Sequence, residues 1–471
     1  MTVPNVLAER YASAEMVEVW SAEGRIVSER RLWIAVLEAQ RAAGLDVEPT
    51  AIDDYRAVLD RVDLASIRRR EERTRHDVKA RIEEFDELAG HQLVHAGMTS
   101  RDVTENTEQL MVLRSLHLLR RRALAVLDRL AIRAAEDAHV AIAARTHHVP
   151  AQVTTLGKRW AMLGEELLLG IGRLDDLIER YPLRGLKGAV GTQQDLCDLV
   201  GPTAVPGVER AVVESLGHER VLAAVGQVYP RSLDLAVVST FVELASAPAN
   251  LARLVRLMAG QELASEEFRP GQVGSSAMPH KMNPRSSERI QGLLAVLRGH
   301  LAMVTSLAGE QWNEGDVSCS VTRRVVLPDA CLALDGLLQT TLSVVGGVGV
   351  HRAVIDQELD RYLPFLATGR MLAAAVRAGV GREDAHELIK EHAVAAALDL
   401  RAGGAGGPEL LRRLGDDRRF PLSEAQLAEA VSDVTALTGR VEDQIADFVT
   451  RVRAVVATDP AATTYEAEMT V

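Results

Sequence analysis

A surplus of positive charge is missing from this sequence. Its 471 residues carry a formal net charge of −12. A nucleic-acid binder would show a basic balance or stripe, and neither is present. The runs Arg68-Arg69-Arg70 and Arg120-Arg121-Arg122 read as solvated helix faces, the first followed at once by Glu71-Glu72. Cysteine is scarce: Cys197, Cys319 and Cys331 form no C-x-x-C pair, and an odd count argues against a disulfide framework. No uninterrupted apolar run approaches about 18 residues, so no membrane span is expected. The first residues, MTVPNVLAERYASAEM, show no basic segment followed by an apolar one. A reduced, soluble, cytoplasmic protein is the expectation.

Aromatics are only 3%, and Ala, Leu, Val, Arg and Glu dominate, which favours helix over sheet. No alternating β pattern stands out, and no repeat of 20–50 residues is visible. Gly and Pro are absent between Gly97 and Pro150, and apolar residues there recur every three to four positions, predicting one very long helix. Similar patterns cover 155–180, 232–259, 286–308 and 320–344. The expected fold is all-α with three domains: 1–108 of short helices, 109–360 of five very long helices, and 361–471 helical again. The last domain reads as two helices broken at AGVGRE, then a linker at RAGGAGGPE and a loose tail from TDPAATTYEAEMTV. The long helices are apolar around most of their circumference. Such helices need cover on all sides, which predicts oligomerisation through the bundle.

One polar loop breaks this helical pattern, GQVGSSAMPHKMNPRSSER at 271–289. Asn283-Pro284 reads as N-cap and first helical residue. The loop therefore ends on a helix N-terminus, where free N–H groups and the dipole favour an anion. Gly271 and Gly274 supply unusual φ, Ser275 and Ser276 hydroxyls, and Lys281 a positive charge. Two readings stand at this level: a surface loop before a well-capped helix, or a mobile binding loop for a carboxylate or phosphate.

The stretch GSSAMPHKMNP resembles the Gly-Ser-Ser-x-Met-Pro-x-Lys-x-Asn signature of the fumarase/aspartase superfamily. Over nearly the whole chain the resemblance is to its adenylosuccinate lyase family. ERYASAEM, RTRHDVKARIEEF, HAGMTSRDVTEN, ARTHHVPAQVTTLGKR, KGAVGT, GQVYPR and EQWNEGDVSCSVTRRVVLPDA each resemble a family segment. The resemblance implies an all-α homotetramer with a twenty-helix core and active sites shared between subunits. It implies release of fumarate from adenylosuccinate to give AMP, and from the succinylated aminoimidazole carboxamide ribotide to give the free carboxamide ribotide, in purine biosynthesis. It implies no cofactor and no metal. The substrate is a small nucleotide, with no nucleic-acid or membrane partner.

The implied reaction is an anti elimination, which needs a base, an oxyanion stabiliser and an acid. By resemblance Ser275 is the base, His147 the acid, and Glu288 the carboxylate that orients the acid. Lys281 supplies the field, and His76 is a second active-site histidine. Taken alone, His147 would be a helix-end or interface histidine, and Glu288 an ordinary first-turn Glu. Arg75 and Asp77 flank His76. Thr99 and Ser100 match positions that hold the succinyl carboxylate. Thr146, Gln227, Ser276, Met282 and Asn283 match further substrate contacts. Arg10, Tyr11, Ser320 and Arg324 match positions around the phosphate. His148 would point elsewhere on a helix and takes no role.

Two departures stand out. Gly315 occupies a place where many family members carry a substrate-contacting Arg, and AQVTT, with Gln152 and Val153, replaces A-E-P-T-T. The alternatives are another fumarate-releasing lyase of the superfamily acting on a different succinyl-amine, and a non-catalytic protein of the same fold. A metalloenzyme is disfavoured: His91 and His95 lack an acidic partner pattern, and HELIKEH breaks H-E-x-x-H at Lys390.

Overall fold

In the computed structural model, residues 4–266 and 277–468 are described. The longest helix, Ser100–Glu136, starts from a capping box in which Thr99 N–H donates to Asp102 Oδ2 at 2.8 Å. Its 37 residues span roughly 55 Å at 1.5 Å per residue. Leu156–Arg180, Cys319–Gly347 and Val441–Val456 pack against it, and Arg285–Thr305 packs in turn against Cys319–Gly347. The segment read as one helix over 232–259 is two, Ser232–Leu244 and Ser246–Gly260. Pro248 stands in the first turn of the second, where its missing N–H costs no intrahelical bond. One continuous core takes buried residues from all of these helices, among them Leu127, Trp160, Phe241, Leu297 and Leu338. Two segments, Ser232–Gly260 and Cys319–Gly347, are long and apolar enough by composition to cross a membrane. Their apolar windows are 56% and 83% buried inside this protein, as core helices are.

The long helix does not run on to Pro150. It stops at Glu136, and Ala141–Thr146 pairs antiparallel with Val149–Thr155. No Gly or Pro marks this stop; tertiary contacts make it. Asp137 accepts from Trp160 Nε1 at 2.9 Å, pairs with Arg352 at 3.2 Å, and offers its carbonyl to Gly157 N–H at 2.9 Å. The hairpin register skips Ala151, and Ile142 and Val153 plug into the main core. This hairpin and the short pair Ala264–Ser265 with Gly349–Val350 decorate an otherwise helical fold.

Two of the smaller apolar clusters flank the bundle. One gathers Trp33, Tyr55 and Phe85 with Leu186, Leu196 and Val212. The other joins Met371, Leu410, Phe420 and Leu427. The region read as two helices holds three, Arg352–Leu366, Thr368–Arg377 and Arg382–Arg401, and the expected break at AGVGRE separates the last two. The final helix, Val441–Val456, leaves the third cluster and returns to the bundle, burying Phe448 there. The tail expected to be loose is packed through Glu468, with Tyr465 against the main core. Arg122, read as part of a solvated face, is 1% exposed and paired with Asp335 at 2.5 Å.

Candidate active site

The described part of the polar loop opens onto a cavity of about 1060 Å³. Lys281, Met282, Asn283 and Glu288 line it, together with His148 and His351. A turn closed by Lys281 N–H to Met278 O at 3.0 Å presents the lysine. Ser275 and Ser276, like Gly271 and Gly274, lie outside the described residues. The helix begins one residue later than its sequence suggested. Arg285 is its first residue and Pro284, not Asn283, stands at the cap, without a side-chain bond of its own. Glu266 supplies the missing acceptor. Its carboxylate takes Ser286 N–H at 3.0 Å, Ser287 N–H at 2.7 Å and Ser287 Oγ–H at 2.6 Å. The helix N-terminus expected to hold a substrate anion is thus met by the chain's own carboxylate. Lys281, Arg253 and Arg256 place positive charge around the cavity.

A second cavity, of about 720 Å³, gathers His76, Asp77, Ser100, Ser320 and Arg324. His76 caps the Asp77–Ala89 helix, its Nδ1 accepting from Lys79 N–H at 3.3 Å. That bond leaves Nε2 as the protonated nitrogen of the neutral ring. Asp77 is paired with Arg81 at 2.7 Å and faces Arg324 at 3.6 Å. Burial alone would raise its carboxyl, but Arg81, the Val78 amide and Arg324 outweigh that and hold it below the usual range. Arg75, just before, is the left-handed cap of Leu64–Thr74, at φ 53°, with an exposed side chain. Thr99 caps the longest helix and Ser100 is its first residue. Thr99 is anchored by Asp102, whose Oδ1 accepts from Lys187 N–H at 2.8 Å and pairs with Arg184 at 2.5 Å. KGAVGT is therefore fastened beneath the Thr99-Ser100 turn.

The other expected residues sit apart from both cavities within one chain. Thr146 and His147 are exposed at the hairpin tip, where His147 and His148 have φ of 52° and 63°. This corrects the helical placement: His147-His148 is a two-residue turn with both residues left-handed, the type I′ pattern. His148, given no role from sequence, is the one that lines the Lys281 cavity. Arg10 ends the Val6–Arg10 helix, exposed, and the Tyr11 ring lies 5.4 Å from the Arg289 guanidinium. Gln227 donates its N–H to Glu314 O at 2.7 Å.

A family described as "Lyase" matches residues 12–299, and one described as "Adenylosuccinate lyase C-terminus" matches residues 364–448. The chain is 32% identical over 451 residues to "Adenylosuccinate lyase" of Schistosoma mansoni, covering 94% of each chain. It is 32% identical over 450 residues to "Adenylosuccinate lyase" of Saccharomyces cerevisiae, covering 94% of this chain and 93% of that one. The chain belongs to the adenylosuccinate lyase family. Its fold is also that of 3-carboxy-cis,cis-muconate lactonizing enzyme from Pseudomonas putida, with a TM-score of 0.83 at 22% identity over 96% and 99% of the two chains. The fumarate lyase from Mesorhizobium sp. BNC1 gives a TM-score of 0.80 at 20% identity over 94% and 99%. At these identities the likeness is one of fold.

Within this adenylosuccinate lyase family framework, two features escaped the sequence reading. His95 accepts from Trp33 Nε1 at its Nδ1, 3.2 Å away, and burial pushes its pKa down to about 4. The ring is neutral at pH 7 and holds its proton on Nε2. The segment HAGMTS was in view, but the tryptophan lies 62 residues earlier. Beneath the second cavity, Glu105 pairs with Arg231 at 2.8 Å and Arg323 at 3.2 Å, and Arg323 with Asp234 at 2.8 Å. A carboxylate among the apolar residues of the longest helix was the available signal.

Gly315 also gains a physical account. Its φ is 140°, and a Cβ there would lie 3.0 Å from Val228 Cγ2 and 3.3 Å from Gln227 Cβ. Gly315→Ala should therefore destabilise the protein by about 1 kcal/mol or more, read as a lowered Tm. An unchanged Tm would mean that the 310–318 turn refits without cost.

Proposed function

We propose that this chain catalyses the elimination of fumarate from adenylosuccinate to give AMP. The observation that carries this is the 32% identity, across 94% of the chain, to relatives named adenylosuccinate lyase. The succinylated aminoimidazole carboxamide ribotide is the second substrate, since it presents the same nitrogen-linked succinyl group on a ribotide. Ser275 removes the β proton, and negative charge builds on the adjoining carboxylate as an aci-carboxylate. Lys281 faces that charge in a cavity walled by protein, where a fixed cation stabilises more than in water. His147 protonates the departing nitrogen, and Glu288 orients it. His76, Thr99 and Ser100 hold the succinyl end, and Arg10, Tyr11, Ser320 and Arg324 the phosphate.

The working unit is a homotetramer with active sites made by several subunits. Two observations support this. The bundle helices carry large apolar side chains on their outer faces, including Met162 (58% exposed), Leu169 (72%) and Val321 (74%). The expected site residues also fall into separate groups on one chain, at two cavities and a hairpin tip.

The test is a spectrophotometric assay of purified protein with adenylosuccinate, with Ser275→Ala as control. Turnover abolished by the substitution supports substrate and base together. A folded protein with no turnover on either ribotide sinks the proposal. Shared sites have their own check: His147→Ala and Ser275→Ala proteins, each inactive, should regain part of the activity when mixed and re-annealed. Proven subunit exchange without recovery would exclude sharing.

A further inference from the structure

The end of the described chain lies on the bundle beside its beginning. Gln339, 1% exposed on the Cys319–Gly347 helix, donates to Tyr465 Oη and accepts Glu468 N–H at 3.0 Å. Glu468 reaches the N-terminal segment, its Oε2 accepting Ala14 N–H at 2.9 Å. Glu466 pairs with Arg129 at 2.8 Å. The Tyr465 ring covers the Arg122 guanidinium at 5.1 Å. Arg122 in turn pairs with Asp335 and donates to Ser13 Oγ at 2.8 Å, while Ser13 N–H donates to Asp335 Oδ2 at 2.6 Å. Next to Asp335, Gly336 leaves room for Tyr11: a Cβ there would lie 2.7 Å from Tyr11 Cβ. Residues 11–15 are thus gripped from two sides, by Arg122, Asp335 and Gly336 on one and by 465–468 on the other.

Local folding does not require the second grip. The Ala14–Trp20 helix already has its cap in Ser13 Oγ, which accepts Met16 N–H at 3.3 Å. A buried Gln on a core helix is costly unless both ends of its amide are used, and here the tail uses both. What the tail positions is the turn that carries Arg10 and Tyr11.

We propose that residues 465–468 are a strap that fixes Arg10 and Tyr11 and so sets the grip on the substrate's phosphate. This rests on the reading of Arg10 and Tyr11 as phosphate contacts. Gln339, Tyr465 and Glu468 are positioning residues and touch no substrate.

The experiment compares adenylosuccinate with its phosphate-free nucleoside, succinyladenosine, on the full-length protein and three variants. Ala14→Pro removes the N–H that Glu468 accepts, at a first helical position where Pro is favoured, so the helix is kept. It should raise KM for adenylosuccinate about threefold, the worth of one exposed hydrogen bond. A chain ending at Thr464 should raise KM about tenfold, as several such bonds go together. In both, kcat stays within about twofold, and kcat/KM for succinyladenosine is unchanged, as expected when only uniform phosphate binding is lost. An unchanged KM in Ala14→Pro, or an equal loss on both substrates, overturns the strap. Should the shortened chain not fold, Ala14→Pro decides alone. Arg10→Ala separates the two levels. If it leaves the preference for the phosphorylated substrate intact, the phosphate reading fails. If it removes that preference while Ala14→Pro does not, only the strap fails.

Discussion

Replacing His147 by Asn should lower kcat on adenylosuccinate by about 10²–10⁴-fold, the usual worth of a general acid, without lowering Tm. The structure separates the two effects because His147 is badly chosen for its backbone. It stands with His148 in a two-residue turn, at φ of 52° and 63°. Asn-Gly suits such a turn, whereas a bulky left-handed residue costs roughly 1–2 kcal/mol. Strain kept at an exposed tip points to function, and by resemblance His147 is the acid. Asn relieves part of the strain and removes the proposed acid. His148→Gly should relieve more strain, raise Tm and keep kcat within a few-fold. The reverse ranking, activity lost in His148→Gly and kept in His147→Asn, would transfer the acid to the histidine that lines the Lys281 cavity.

The hairpin also shows where sequence reading stops. ARTHHVPAQVTT points to His147 as the proposed acid through its similarity to a family segment. It does not announce its own conformation, because nothing between Gly97 and Pro150 breaks a helix. The break is made by partners far along the chain, Trp160 and Arg352 on Asp137. The same holds at the Arg285–Thr305 helix. Asn283-Pro284 marks the start to within one residue, yet the group that satisfies the first amides, Glu266, was legible only in three dimensions. Long apolar periodicity placed the bundle helices well, since it reports burial directly. It misjudged Arg122 and the tail, because a charged or polar residue inside a core is set by its partner, here Asp335 or Gln339.

For the candidate site, sequence supplied the residues, and the fold shows what fastens them. Thr99 depends on Asp102, and Asp102 on Arg184 and the 187–188 backbone. His76 depends on the helix it caps. The Thr99-x-x-Asp102 half of this is local, a capping box within one turn. The other half crosses 82 residues and had no local signature.

Glu105→Ala should be strongly destabilising, by about 3–5 kcal/mol, the cost of breaking a buried ion pair, although Arg323 keeps Asp234 and Glu108. Glu105 is fully buried between Arg231 and Arg323, with Arg101 at 3.0 Å. Removing it leaves three guanidiniums around an empty carboxylate site. Domains hold only about 5–15 kcal/mol in total, so a sharp fall in Tm or loss of soluble protein is expected. Glu105→Gln keeps the shape and some bonds, and it tests the charge. Burial would raise the Glu105 carboxyl, but Arg323 and Arg231 outweigh it and hold its pKa below the ordinary 4.5. A lowered carboxyl pKa stabilises the fold fully above the unfolded value, and that stabilisation is lost as pH falls through the folded one. Glu29 and Asp335, raised mainly by burial, act with the opposite sign, so the parent curve mixes both. The difference between parent and Glu105→Gln isolates one group. It should be largest above pH 4.5 and shrink as pH falls below it. A difference constant from pH 7 down through that acid range would mean that shape, not charge, makes Glu105 indispensable under the second cavity.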